Sequence, residues 1–167
     1  MKNNLIRNIN KKDIRKVLKI YNYHIENSLG NFEEKKISLR EFNKLVSSIL
    51  SKKIPFIVSE MNREITGFAF LNEYRSKSGY RFTFENSIYI NPKYINKGLG
   101  NMLLQNLIKL SKKNKIIKNI IAVIGDSKNK SSITIHLKNG FKKIGTLKKI
   151  GFKKNKWIDS VYMQKKL

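Results

Sequence analysis

Glu85 and His136 are the two residues whose types best suit acid–base chemistry in this chain. Glu85 interrupts a strand-like run of aromatic and aliphatic residues, where burial would raise the pKa of its carboxyl toward that of a general base. His136 carries an imidazole, which can take up or release a proton near neutral pH. Plainer interpretations stay open, because Glu85 could face solvent and a lone histidine more often packs in the core or lies on the surface.

A glycine turn, Lys97-Gly98-Leu99-Gly100, lies between these two residues and runs straight into an apolar-periodic helix pattern. Backbone N–H groups in the first turn of a helix have no partners within the helix, and they can hold a phosphate group. The turn lacks the third glycine of a dinucleotide fingerprint and the lysine–serine pair of a Walker motif. A glycine turn alone often serves only the chain reversal. Flanked by a carboxylate and an imidazole, this one indicates acid–base work on a phosphate-bearing cofactor.

The remaining basic and aromatic residues are weaker candidates for a functional site. Arg75, Lys77 and Tyr80 lie close enough together to form a loop that grips an anionic substrate, although basic residues carry little information in so lysine-rich a chain. Trp157, the only tryptophan, is predicted to lie in the core, and His24 is predicted to be a structural residue within a helix. Two histidines at an unfavourable spacing, with no cysteine, predict no metal site.

The net charge of +25 has two interpretations. One is a polyanionic partner such as nucleic acid or an anionic membrane surface. The other is compositional drift, because lysine, asparagine and isoleucine, all encoded by A/T-rich codons, dominate the chain. We favour drift, since the lysines are dispersed and arginine, which suits bidentate phosphate contacts, is scarce.

The length of 167 residues fits a single domain spanning 1–167. A hydrophobic content of 40% excludes a disordered chain. The lack of cysteine excludes a disulfide framework and a cysteine nucleophile. No apolar run is long enough to span a bilayer, and the segment from Met1 to Arg7 has no signal-peptide core. We therefore expect a soluble cytoplasmic protein with no membrane partner.

Hydrophobic periodicity predicts the element order β-α-α-β-β-β-α-β-α-β-β. Ser38 and Glu41 form a capping box that marks the start of the second helix, and Gly140 marks the end of the last one. Tyr80 to Ile90 is predicted to be the central strand, and Ile120 to Ile124 a buried strand of the parallel type. The order predicts an α/β or α+β fold in which helices cover one sheet.

Five segments in the same order along nearly the whole chain resemble the GNAT acetyltransferase superfamily. More narrowly, they resemble the phosphinothricin N-acetyltransferase / L-amino-acid N-acyltransferase family. The segments are Ile20 to Ser28 with Asn31-Phe32, Arg75 to Tyr80, Thr83 to Ile90, Asn129 with Ser132 and His136, and Gly151 to Lys153 with Trp157 to Asp159 and Gln164. Thr83 to Ile90 is similar to the family strand T-x-E-x-S-V-Y-V. Each segment alone is a weak signal, whereas five in the right order are specific.

The resemblance implies a mixed, mostly antiparallel sheet flanked by helices, acetyl-CoA as donor, a small amine as acceptor and a homodimer. It implies catalytic roles for Glu85 and His136. As a mechanism, we expect Glu85 to act as the base and His136 to protonate the departing thiolate or relay a proton. The cofactor-binding residues that it implies are Ile88, Tyr89, Ile90, Asn96, Lys97, Gly98, Leu99, Gly100, Asn101 and Asn129. The residues that it places near the acceptor are Phe32, Arg75, Lys77 and Tyr80.

Ile95 departs from the family pattern, which usually has arginine or glutamine three residues before the first glycine of the turn. The change removes a side-chain contact to the cofactor and leaves the backbone donors in place. The family suggests a small amino acid acceptor, or an analogue such as phosphinothricin or methionine sulfoximine. Two alternatives remain: a GNAT enzyme acting on another amine, such as a polyamine or a protein N-terminus, and a basic module that binds nucleic acid without catalysis.

Overall fold

A computed structural model describes residues 4–167. The first three residues, part of the segment in which no signal peptide is expected, lie outside the described residues. The strands are β1 (Leu5–Asn8), β2 (Phe56–Met61), β3 (Glu64–Glu73), β4 (Thr83–Ile90), β5 (Asn119–Gly125), β6 (Lys142–Lys153) and β7 (Lys156–Lys166). The helices are α1 (Ile14–Asn27), α2 (Leu39–Ser51), α3 (Leu99–Lys113) and α4 (Lys130–Lys138). The predicted element order is confirmed.

The seven strands form one sheet in the order β1-β2-β3-β4-β5-β7-β6. Every neighbouring pair is antiparallel except β4 and β5, which run parallel. A parallel pair needs a crossover connection, and α3 supplies it. The predicted fold class, a mixed and mostly antiparallel sheet flanked by helices, is confirmed.

Helices cover both faces of the sheet. α1 and α2 pack on one face, where the rings of Tyr21 and Phe42 approach those of Phe68 and Phe56. α3 and α4 cover the opposite face, and α3 buries Leu103 there. Because helices cover both faces of the sheet at its centre, a carboxylate on β4 is partly removed from water.

Local signals explain where several helices begin and end. The Ser38 side chain accepts a hydrogen bond from the Glu41 N–H, and the Glu41 carboxylate accepts one from the Ser38 N–H, as the capping box predicts. Asn129 caps α4 by accepting from the N–H of Ser132. Gly140, with φ of +78°, follows α4 in the left-handed conformation that favours glycine.

Two predictions are wrong. The central strand begins at Thr83 and not at Tyr80, because Ser78–Tyr80 forms a 3-10 turn that leaves Tyr80 outside the sheet. Trp157 is 62% exposed and does not lie in the core; its ring meets Phe152 edge-on at 5.2 Å on the surface of the β6–β7 hairpin.

Candidate active site

The parallel strands β4 and β5 separate from one another halfway along β4. Their pairing covers only Thr83 to Glu85 on β4 and Asn119 to Ile121 on β5. On its other side β4 stays paired with β3 as far as Ile90. The second half of β4 therefore has one paired edge and one edge that faces a gap, and Glu85 marks the point where the gap opens.

The pairing with β3 determines which backbone groups face this gap. The Tyr74 N–H donates to the Thr83 carbonyl, and the Asn91 N–H donates to the Thr66 carbonyl. Because the direction of backbone hydrogen bonds alternates along a strand, odd-numbered residues of β4 bond to β3 and even-numbered ones point the other way. Ile88 and Ile90 therefore direct their N–H groups into the gap.

The gap forms the floor of a cleft of about 790 Å³. Its walls come from the end of α1, the α1–α2 loop, β4, the turn before α3, the end of β5 and α4. Many of the predicted site residues line it, namely Phe32, Glu85, Ile88, Tyr89, Ile90, Asn96, Gly98, Leu99, Gly100, Asn101, Asn129 and His136. The fold thus brings together residues that lie more than a hundred positions apart in sequence, such as Phe32 and His136.

The N-terminus of α3 opens onto the same cleft. Gly98 precedes the helix with φ of +73°, a conformation that L side chains rarely adopt, and no side chain caps the helix. The Met102 N–H makes the first helical turn by donating to the Gly98 carbonyl. The N–H groups of residues 99–101 precede that bond, so the helix itself leaves them without partners for an anionic ligand. Ile95, 57% exposed, lines the cleft beside this turn and offers it no charge.

Glu85 is a partly buried carboxyl at the mouth of the gap. Burial raises its pKa to about 7, and the positive charge of Arg75 acts in the opposite direction with a smaller effect. A carboxyl with this pKa is half ionised near neutral pH, so it can accept a proton and later release it. The expectation that burial would raise this pKa is confirmed.

His136 is buried, and both of its ring nitrogens are engaged. Nδ1 lies 2.7 Å from the Ser132 carbonyl oxygen, which can only accept, so Nδ1 carries a proton. Nε2 lies 3.0 Å from Nδ2 of Asn86. Burial lowers the pKa of His136, which favours the neutral ring, and Nε2 of that ring accepts the Asn86 N–H. The ring therefore presents no proton to the cleft in this arrangement.

Glu85 and Asn86 are neighbours on β4, so their side chains point to opposite faces of the sheet. Asn86 reaches His136 on the face covered by α4. Glu85 shares the other face with Tyr89, whose ring packs against Tyr21 of α1. The two predicted catalytic residues thus line one cleft from opposite sides of a strand.

Four predicted site residues do not line the cleft. Arg75, Lys77 and Tyr80 lie exposed on the segment before β4, where the Tyr80 ring packs on Tyr74. Lys97 is also exposed, and its amine lies 5.0 Å from the centre of the Tyr94 ring. Of these, Arg75 is close enough to affect the pKa of the carboxyl at the mouth of the gap.

Among residues 4–167, no group of three or more His, Asp or Glu side chains is arranged to hold a metal ion. Within the same residues, no helix is both long and apolar enough to cross a membrane.

Comparison with known proteins gives consistent matches. The family model described as the acetyltransferase (GNAT) domain matches residues 6–162. A phosphinothricin N-acetyltransferase from Alcaligenes faecalis is 35% identical over 97% of this chain and 82% of its own length. An L-methionine sulfoximine/L-methionine sulfone acetyltransferase from Salmonella typhimurium is 29% identical over 97% of this chain and 94% of its own. The chain belongs to the GNAT acetyltransferase family.

Two solved structures resemble this acetyltransferase over almost its whole length. A GNAT superfamily phosphinothricin acetyltransferase from Sinorhizobium meliloti, in complex with AcCoA, has a TM-score of 0.93 and 31% identity, with coverage of 100% of this chain and 89% of that one. A ribosomal-protein-alanine N-acetyltransferase from Brucella melitensis has a TM-score of 0.93 and 31% identity, with coverage of 98% and 99%. The predicted family is confirmed.

Sequence reasoning missed several residues that shape the cleft of this acetyltransferase. His24 lines it and donates from Nε2 to the Ile90 carbonyl at 2.7 Å, which fixes the end of β4. Lys153 is buried, and its amine donates to the carbonyl of Asn31 in the α1–α2 loop. A buried lysine at the end of a hairpin leaves no periodic signal in the sequence. Its only sequence signal is the G-x-K segment that resembles the family.

Proposed function

We propose that this protein transfers the acetyl group of acetyl-CoA to the amine of a small amino acid or an analogue of phosphinothricin or methionine sulfoximine type. The observation that carries the proposal is the gap between β4 and β5, with a carboxyl of pKa about 7 at its mouth. Membership of the GNAT family and relatives named for such acceptors support it.

The residues present fit acetyl-CoA. The uncapped N-terminus of α3, with Gly98 at positive φ, suits a pyrophosphate, and it opens on the same cleft as the free edge of β4. The N–H groups of Ile88 and Ile90 suit the amide-bearing arm, which would pair as an added strand. Asn96, Lys97, Asn101 and Asn129 are proposed to complete the cofactor site. When bound, acetyl-CoA supplies an acetyl group activated as a thioester.

Glu85 is proposed to act as the general base. An aliphatic amine is mostly protonated at neutral pH and must lose a proton before it can act as a nucleophile. Glu85, directly or through a water molecule, takes that proton because its pKa lies near the working pH. An N–H group of β4 that faces the gap can donate to a carbonyl oxygen on which negative charge develops.

The prediction that His136 protonates the departing thiolate or relays a proton stays a prediction. In the described arrangement, Nε2 accepts a hydrogen bond from Asn86 and Nδ1 donates to a backbone carbonyl. His136 would first have to gain a proton on Nε2, and the Asn86 amide would have to turn over to accept from it.

The proposed acceptor carries an anionic group beside its amine. Arg75 and Lys77 lie on the segment that leads into Glu85, and both suit a carboxylate or phosphinate. Phe32 and Tyr80 are proposed to contact the rest of the acceptor. The same basic residues would repel a polyamine, which makes that acceptor the less favourable one.

The test is a panel of acceptors assayed by release of the CoA thiol. It would include amino acids, their sulfone, sulfoximine and phosphinate analogues, a polyamine and a peptide that begins with alanine. We expect turnover with the amino acid analogues, lowered about a hundredfold or more in Glu85→Gln. Unchanged turnover in that variant would remove Glu85 from the role of base.

A second candidate acceptor is a protein N-terminus, because the Brucella melitensis structure is named for ribosomal-protein alanine. Turnover with the alanine peptide but not with free amino acids would favour it. A nucleic-acid-binding module is the remaining alternative, and it rests on the charge of +25 alone. It would require tight binding of nucleic acid at physiological salt and no acetyl transfer.

We further propose a cytoplasmic homodimer. The β6–β7 hairpin carries several exposed apolar side chains, and a second copy of the chain could cover them. These are Ile144, Leu147, Ile150, Phe152 and Trp157. Gly151 of the same hairpin packs against Phe32, so a dimer interface here would adjoin the proposed acceptor site.

A further inference from the structure

Asn86 has a buried amide oxygen without a partner. The residue is only 7% exposed and lines the cleft between β4 and β5. Its Nδ2 donates to His136, but its Oδ1 has no hydrogen-bond partner within residues 4–167. A buried, unpaired acceptor is costly, so a natural protein that keeps one usually has a ligand or an ordered water for it.

His136 fixes which end of this amide is left over. Its Nδ1 must carry the proton because the Ser132 carbonyl can only accept. The neutral ring therefore has a lone pair on Nε2, and only the NH₂ end of Asn86 can satisfy it. The imidazole acts as an orienting group, and the acceptor end of Asn86 is left without a partner among the described residues.

The face of β4 on which Asn86 lies indicates which hydrogen-bond donor its Oδ1 would meet, an inference that rests on the proposed function. The amine of the acceptor has to reach Glu85, which lies on the face covered by α1. Asn86 lies on the face covered by α3 and α4, and the N-terminus of α3 is where the pyrophosphate is placed. On that side, the pantetheine arm of acetyl-CoA offers two amide N–H groups and one hydroxyl, and the amides lie nearer to the thioester, which must come close to Glu85.

We propose that Asn86 is a cofactor-binding residue whose Oδ1 accepts a hydrogen bond from a pantetheine amide, and that His136 is the positioning residue that holds the amide in this orientation. In this role, His136 contributes to cofactor binding only by holding the Asn86 amide, which requires the tautomer protonated on Nδ1. Its ring does not touch the reacting atoms.

Calorimetry with CoA and with 3′-phospho-ADP, which lacks the pantetheine arm, tests whether Asn86 binds that arm. We expect Asn86→Ala to weaken CoA binding about two- to tenfold, the effect of one hydrogen bond, and to leave 3′-phospho-ADP binding unchanged. Asn86→Asp keeps an acceptor oxygen and should bind CoA more tightly than the alanine variant. Asn106→Ala is the matched control, because that amide donates to Met102 of its own helix and does not line the cleft. It should bind both ligands as the parent does.

Nitrogen NMR on the parent protein tests whether His136 has the tautomer that orients the Asn86 amide. The chain has only two histidines, and their partners predict opposite tautomers. His136 should be protonated on Nδ1, whereas His24 should be protonated on Nε2, because the Ile90 carbonyl can only accept. In Asn86→Asp, the carboxylate should draw a second proton onto His136.

Several results would overturn the inference. They are an unchanged CoA affinity in Asn86→Ala, an equal loss of affinity for CoA and 3′-phospho-ADP, or a proton on Nε2 of His136 in the parent protein. The NMR result needs no substitution, so it holds even if Asn86→Ala does not fold. A parent protein that binds neither ligand would contradict the proposed function itself, and the tautomer of His136 would still be measured independently.

Discussion

Replacing Glu85 by glutamine should stabilise the protein at alkaline pH while it removes the proposed base. The carboxyl has a pKa of about 7 in the fold, against an ordinary pKa of 4.5 for a glutamate side chain. The folded state therefore binds the proton more tightly than the unfolded state does. For a carboxyl whose pKa is raised, stability falls as pH rises between these two values and is level above the folded pKa. Glutamine cannot ionise, so the variant lacks this loss.

The magnitude follows from the size of the pKa change. A difference of about 2.5 pH units between 4.5 and 7 corresponds to about 3 kcal/mol of unfolding free energy when the carboxyl is fully ionised. Between pH 5 and pH 8.5 the change is about 2.5 kcal/mol, because ionisation of the unfolded chain has already begun at pH 5. This value already includes the smaller, opposing effect of Arg75, which favours the ionised form.

The assay is urea denaturation of both proteins at pH 5 and pH 8.5. Other titrating groups are common to the two proteins, so the difference between them isolates Glu85. Between pH 5 and pH 8.5, we expect the unfolding free energy of the glutamine variant to rise by about 2.5 kcal/mol relative to that of the parent. In thermal unfolding, the same difference corresponds to roughly 5 to 10 °C in Tm. A difference in stability that does not change with pH would contradict this prediction, because it would mean that Glu85 is not desolvated in the fold.

Three further predictions concern the surroundings of the cleft. In Arg75→Ala, the pH at which kcat/KM reaches half of its maximum should move above about 7, because the charge of Arg75 lowers the pKa of Glu85. An unchanged midpoint would show that Arg75 has no such influence. In Gly151→Ala, the new Cβ would clash with the Phe32 ring, so KM for the acceptor should rise while calorimetry finds CoA affinity unchanged. An unchanged KM would show that Phe32 does not contact the acceptor. In Trp157→Glu, a charge placed among the exposed apolar side chains of the β6–β7 hairpin should prevent dimerisation, and light scattering should find a monomer. A parent protein that is itself monomeric would contradict the proposed dimer.

The sequence contains most of the fold in local signals. The Ser38–Glu41 capping box and the left-handed Gly140 act within a few residues, so the helix ends they mark were predictable. The start of β4 was less so, because Tyr80 and Phe82 continue the alternation of aromatic residues that a 3-10 turn interrupts. Trp157 was misplaced because composition favours burying the only tryptophan, whereas the hairpin presents it at the surface.

The site was predictable where chemistry depends on residue type and not where it depends on strand pairing. An acid next to aromatic and aliphatic residues of a predicted strand favours burial and a raised pKa, and Glu85 has one. The opening between β4 and β5 has no such signal, since apolar residues lie on both sides of it, with Phe84 before it and Ile88 and Ile90 beyond it. The bond between Asn86 and His136 joins residues 50 positions apart, and neither residue alone indicates that the imidazole orients the amide.

Amide hydrogen exchange along β4, measured by NMR with and without acetyl-CoA, tests whether the free edge of this strand binds the cofactor. We expect acetyl-CoA to slow exchange at Ile88 and Ile90, whose N–H groups face the gap. Exchange should change little at Ser87 and Tyr89, whose N–H groups already bond to β3. Saturating acetyl-CoA that leaves exchange at Ile88 and Ile90 unchanged would contradict the claim that the free edge of β4 holds the cofactor.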